Sequence, residues 1–229
     1  MENNNGRGIF YGVMGVATLV VAIVGATFAY FAASANGTAG AVAANSVTVA
    51  GTLALEESTT GIRDRLIPTV NAEMLKAVAL TGANQCTGVS AADGKSRYDL
   101  CSTYVYTLTN NADVAQTVYM NFSTVDNSFE NLYYCVYEAT GDKATGYTVN
   151  TASEVQACGA VPAKGTPAQI GTTGVSIDSK ASKIYAVVLY INETNNEQPG
   201  DEGKSFVGTV SATTSSKDSK VTGVVVSGK

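Results

Sequence analysis

The chain has 229 residues, 14 Lys and Arg against 19 Asp and Glu, no His, no Trp and a formal net charge of −5. Its basic residues are scattered, which argues against the clustered cations that neutralise nucleic-acid phosphates. Without His there is no Ser-His or Cys-His pair and no His-type metal centre, and no GxSxG, P-loop or dinucleotide fingerprint occurs. No enzyme, cofactor, metal or nucleic-acid partner is therefore expected.

Residues 1–8 form a polar leader with three consecutive Asn, and no charged side chain lies between Arg7 and Glu56. A helix rising about 1.5 Å per residue crosses a roughly 30 Å hydrocarbon core in about 20 residues, and the apolar run 9–33 meets that length. This segment is expected to meet a membrane. In one reading, 1–35 is a secretory signal, with small residues Ala33 and Ala35 placed for cleavage before Asn36 by a signal peptidase. In the other it is retained, as a transmembrane anchor or as the helical core of a filament. Both readings put the remainder outside the cytoplasm, either secreted or attached to the cell surface.

Residues 36–44, made of Gly, Ala, Thr and Asn without periodicity, read as a flexible linker. About 185 residues then remain, enough for one domain over 45–229. Strict alternation begins at once: Val47, Val49, Gly51, Leu53 and Leu55 point one way, and the small polar and Ala residues between them point the other. Such a period of two marks a half-buried strand. A charged turn over 59–68 follows. Residues 71–80 read as a short helix capped by Asn71, or as a strand.

The four cysteines, Cys86, Cys101, Cys135 and Cys158, contain no CxxC and have no His to complete a metal site. In an oxidising compartment they form two disulfides. Of the three pairings, the one closing the shortest loops joins Cys86 to Cys101 and Cys135 to Cys158. On the chain-entropy model a loop of about 15 residues contributes roughly 3 kcal/mol.

Alternation is clearest over 102–109. The tetrapeptide Asn110-Asn111-Ala112-Asp113 then makes a turn, and 117–125 is expected to return as the second strand of a hairpin. A third strand is expected over 132–139, followed by a long Gly, Thr and Ala stretch to Thr173. The nearly continuous apolar run 184–191 predicts a central strand, and 206–212 and 221–226 complete a set of about eight. The fold class is all-β, a jelly-roll-like sandwich preceded by an N-terminal hydrophobic helix.

Three further features have competing readings. Glu193, Glu197, Asp201 and Glu202 form either a calcium loop or, lacking regular acidic spacing, a solvated turn. Asn36, Asn121 and Asn192 open glycosylation acceptor triplets that also arise by chance in a Thr-rich chain. The tyrosines at 104, 106, 119, 133, 134, 137, 185 and 190 make either a sugar-binding or adhesive stripe or ordinary sheet packing.

Gly25-Ala26-Thr27-Phe28-Ala29-Tyr30-Phe31, followed by Asn45-Ser46-Val47-Thr48-Val49-Ala50-Gly51-Thr52-Leu53-Ala54-Leu55, resembles the TasA and camelysin group of secreted bacterial proteins. The strand-then-Asn segment Tyr104-Val105-Tyr106-Thr107-Leu108-Thr109-Asn110 resembles that group too. So does 186–192 followed by Gly203-Lys204-Ser205-Phe206-Val207-Gly208-Thr209-Val210, which the group forms as a late hairpin. The resemblance implies a jelly-roll-like sandwich, released by a dedicated signal peptidase and assembled into biofilm-matrix or surface fibres. Ala54 replaces the group's usual Asp, the leader carries few positive charges, and four cysteines are added.

Assembly has its own physical rationale. A sandwich lacking one strand exposes backbone groups and an apolar groove that a strand from another chain can fill. Val47, Val49, Leu53 and Leu55 are expected either to enter the next subunit, giving an open-ended head-to-tail filament, or to pair within their own domain. A pilin-like subunit with its helix retained in the filament core, and a membrane-anchored adhesion or binding module, are the alternative functions.

Overall fold

A computed structural model describes residues 53–58, 62–63, 65–89, 94–214 and 220–227. The apolar run 9–33, the cleavage residues Ala33, Ala35 and Asn36, the linker 36–44, and Val47 and Val49 lie outside the described residues. Among the described residues no helix is long and apolar enough to cross a membrane.

The strands are β1 (Leu53–Ser58), β2 (Thr87–Val89), β3 (Arg97–Asp99), β4 (Ser102–Asn110), β5 (Gln116–Asn127), β6 (Leu132–Asp142), β7 (Gly146–Ala160), β8 (Ala168–Ile177), β9 (Ser182–Ile191), β10 (Phe206–Thr214) and β11 (Lys220–Ser227). Helix α1 spans Asn71–Val78. Five strands form one antiparallel sheet in the order β1-β4-β9-β6-β7, four form another in the order β11-β10-β5-β8, and β2 with β3 makes a small ribbon. The protein is an all-β sandwich.

Its main core lies between the two sheets. Leu53 and Leu55, Tyr104, Tyr106 and Leu108, Phe122, Phe206, Val187 and Leu189 all contribute to it. Phe122 stacks on Tyr134 with ring centroids 4.5 Å apart. A second core covers the other face of the five-stranded sheet, where Met74, Ala77 and Val78 of α1 meet Val105, Tyr137, Ala186, Val188 and Tyr190. The central strand β9 is thus buried on both sides from Tyr185 to Ile191. This is why its sequence is continuously apolar rather than alternating.

Several expectations are corrected. Residues 102–109 and 117–125 are both strands, but they do not form a hairpin: β4 pairs with β1 and β9, while β5 pairs with β10 and β8. The turn between them crosses from sheet to sheet. Asn110 holds that crossing, donating from Nδ2 to the carbonyls of Val114, Ile177 and Asp178 while Oδ1 accepts from the Ala112 N–H. In the same way β9 and β10, expected as a late hairpin, belong to different sheets. The Gly, Thr and Ala stretch before Thr173, given no element from the sequence, contains β7 and the first part of β8. Residues 71–78 are helical, yet Val70 occupies the N-cap position and caps through no side chain. Asn71 instead hydrogen-bonds Tyr190.

Candidate functional site: the edges of the sandwich

The features of this domain that can make contacts or react include its sheet edges, its cystines and its buried polar groups. β1 is an edge strand whose described pairing is with β4 alone, in an unbroken register from Leu53↔Asn110 to Ser58↔Val105. Alternation turns Leu53, Leu55 and Glu57 toward the other sheet; the two leucines are 0% and 4% exposed. Burying each of them contributes about 2 kcal/mol. β1 packs against β11, where Gly223 makes room: a Cβ there would sit 2.5 Å from Tyr106 Cε1 and 3.2 Å from Leu55 Cδ2.

A polar row runs across this buried face. Glu57 of β1, Tyr106 of β4, Tyr185 of β9 and Glu138 of β6 are successive register partners. Burial pushes the Tyr106 hydroxyl well above its ordinary range, and the Glu57 carboxylate and Tyr104 push it further. Burial likewise raises Tyr185, with Glu138 adding to the shift. The Tyr185 hydroxyl has no hydrogen-bond partner among the described residues. Glu138 accepts a hydrogen bond from Ser153 Oγ at 3.1 Å. At this end β6 and β9 part company beyond Ala139↔Ile184, and an open cleft of about 420 Å³ lies between them, lined by residues that include Glu138, Thr140, Ser182 and Lys183.

The cysteines are joined as Cys86–Cys101 and Cys135–Cys158. The first bond lies under α1, with both residues 0% exposed, and the Cys86 N–H donates to the Ala77 carbonyl at 2.9 Å. Cys86 adopts φ +61°, a left-handed conformation costly for a side-chain-bearing residue. Arg63, expected only as part of a charged turn, braces this loop. Its guanidinium donates to the Ala83 and Gln85 carbonyls and approaches Asp99 at 3.6 Å. The second bond ties edge strand β7 to β6, with Cys135 buried and Cys158 partly exposed. The Tyr137 hydroxyl lies 3.5 Å from Cys158 Sγ, and its pKa is pushed up to about 12 by burial, Glu154 and Tyr190.

The acidic loop fits neither earlier reading as a whole. Asp201 is 6% exposed. Its Oδ1 accepts from the Glu130 and Asn131 N–H groups at 2.7 and 3.1 Å, and Oδ2 accepts from Asn131 Nδ2 and Gln198 Nε2 at 2.8 and 3.2 Å. Burial by itself raises this carboxyl, but those bonds outweigh it and hold the pKa below its ordinary value. Four donors occupy the oxygens a cation would need, so Asp201 locks the loop before β10 onto the turn before β6. The sequence showed the acidic residue but not its donors, three of which lie about 70 positions away.

Tyr104, Tyr106, Tyr134, Tyr137, Tyr185 and Tyr190 are at most 5% exposed and pack in the two cores. Tyr119 lies against Gly174 of β8, whose absent Cβ would meet the ring at 3.0 Å. Asn121 sits mid-strand in β5 opposite Ser211 and Gln169, and the Asn192 carbonyl accepts from Gln198 Nε2.

No family model and no curated protein matches the chain. Among solved structures, a family 123 glycoside hydrolase from Clostridium perfringens is similar over 77% of this chain at 10% identity and a TM-score of 0.36. The chain spans 27% of that hydrolase's length. The CooA pilin subunit from enterotoxigenic Escherichia coli is similar over 62% of this chain and 84% of its own, at 14% identity and a TM-score of 0.28. ACE19, the collagen binding subdomain of the Enterococcus faecalis surface protein ACE, is similar over 56% of this chain and 87% of its own, at 12% identity and a TM-score of 0.21. Likenesses this distant carry no argument about function.

Proposed function

We propose that the chain is a structural subunit of an extracellular surface or biofilm-matrix fibre, exported by way of its N-terminal apolar run. The observation that carries the reading is β1. Among the described residues it is a single-partner edge strand, it supplies two fully apolar side chains to the main core, and in sequence eight residues separate it from the linker that follows the apolar run. Two disulfides support an oxidising, extracellular setting. In the isolated chain, β1 fills its own sandwich. Assembly then proceeds by exchange: β1 of one copy replaces the equivalent strand of the next, conserving every contact while linking subunits head to tail.

The test places cysteines at register partners on β1 and β4, Glu56→Cys with Thr107→Cys, and oxidises the assembled material. A covalent ladder of multimers on a non-reducing gel is expected. Cross-linking confined to single chains within intact fibres would overturn exchange but leave the fibre reading standing. N-terminal sequencing of surface material should give a start at or after Asn36. A start near Gly8, with filaments present, would instead make the chain a pilin-like subunit. Intact Met1 in the membrane fraction, without filaments, would make it an anchored module.

A further inference from the structure

We infer that Cys135–Cys158 is a reducible latch on the edge strand β7, whereas Cys86–Cys101 is a permanent part of the core. The inference does not depend on the fibre reading. It starts from the way β7 is held. Where β6 advances four positions, from Tyr134 to Glu138, β7 advances nine, from Gly159 back to Asn150, with slips in register on both sides of Val136 and again after Tyr137. The surplus residues bow out of the ladder, and none of 151–158 is fully buried.

Between those limits the ladder holds β7 at only two register pairs, Val136↔Gln156 and Tyr137↔Glu154. Two side-chain bonds add to it: Ser153 Oγ to Glu138, and the Gly171 N–H to Gln156 Oε1 at 3.0 Å. Sheet segments with few buried contacts and exposed hydrogen bonds open locally at small free-energy cost. Val155 packs partly buried against the main core, and beside that one apolar contact the disulfide is the main tether of 151–158. Cys158 lies in the bowed segment and is partly exposed, while Cys135 beneath it is buried.

The geometry fixes the order of events. A dithiol's thiolate attacks Sγ of Cys158, the partly exposed partner of the pair, forming a mixed disulfide there and releasing Cys135 as the thiolate, which takes up a proton. The reagent's second thiol then attacks its own mixed-disulfide sulfur and releases Cys158. The reagent leaves as a disulfide, two electrons having reduced the protein's bond to two thiols. As Cys158 leaves, the nearby Tyr137 hydroxyl can donate to its sulfur. Nothing comparable is open to Cys86–Cys101, where both residues are 0% exposed beneath α1 and Arg63 clamps the adjoining Gln85 carbonyl. Once opened, the segment 151–158 no longer shields the edge of β6 from Val136 to Glu138, and an uncovered edge is a template for another strand. The device thus couples the redox state of the surroundings to the availability of one sheet edge.

The experiment treats full-length protein, isolated without reductant, with graded dithiothreitol in native buffer, then alkylates and maps the labelled cysteines while following hydrogen exchange. Cys135 and Cys158 should be labelled at least tenfold faster than Cys86 and Cys101. Exchange should rise at least tenfold over 151–158 and stay unchanged in β4 and β9. Equal rates at both bonds, labelling only where the protein unfolds, or opening without faster exchange in 151–158 would each overturn the latch. The variant Cys135→Ser with Cys158→Ser should fold and reproduce the exchange pattern of the reduced protein. Its failure to fold would equally overturn the proposal.

Discussion

The two sides of the sandwich are built on opposite plans. On one side β1 and β11 close the core with unbroken registers to β4 and β10, and they touch through a glycine that admits a tyrosine ring. On the other, β7 and β8 are irregular. β7 slips against β6, β8 slips against β5 between Val118 and Met120, and Gly171 bends at φ +74° toward β7. Bulges and bends blunt an edge against pairing with other chains, whereas a straight, regular strand remains competent to pair. One side thus keeps regular edge strands, and the other is irregular and stapled by Cys135–Cys158.

This contrast can be broken from either side. The largest effect is expected from Gly223→Val, which drives a side chain into Tyr106 and Leu55 and should cost about 3 kcal/mol of stability by overpacking. Denaturant unfolding would measure it, and hydrogen exchange should rise first in β1. A neutral result would mean that β1 and β11 are loosely packed. Away from both edges, Asp201→Ala removes a carboxylate that accepts four hydrogen bonds and should cost about 2 kcal/mol at neutral pH. Since the folded pKa lies below the ordinary carboxyl value of 3.8, this contribution is complete above that pH and disappears as pH falls through the folded value. Wild type and variant should therefore converge in strongly acidic buffer, and a constant gap would show that the charge is not what matters. The smallest effect is expected from Gly171→Ala, which places a Cβ at positive φ and 3.1 Å from the Val155 carbonyl, at a cost of about 1 kcal/mol. Its faster exchange should stay in β7 and β8. Spread to β1 would show the two sides to be one cooperative unit.

Legibility followed the range of the interaction. The alternation of Leu53 and Leu55, the continuous run of β9 and the short disulfide loops are local patterns, and each has a counterpart in the structure. β7 and β8 carry no local strand signal because Gly, Thr, Ala and Ser make a strand only when neighbours supply the ladder. β4 and β5 have the local pattern of a hairpin because a turn between two alternating segments serves equally well to fold a sheet or to cross between two.

By itself, then, the sequence determined that the described part of the chain is built from strands, which side of β1 is buried, and that β9 is central. Period-two alternation and unbroken apolar runs record burial residue by residue. Only the tertiary structure decided which strands are neighbours, that one side is regular and the other stapled, and that Asp201 is a lock. Pairing partners and hydrogen-bond donors lie tens of residues away, and no local pattern encodes the direction in which the chain turns to reach them.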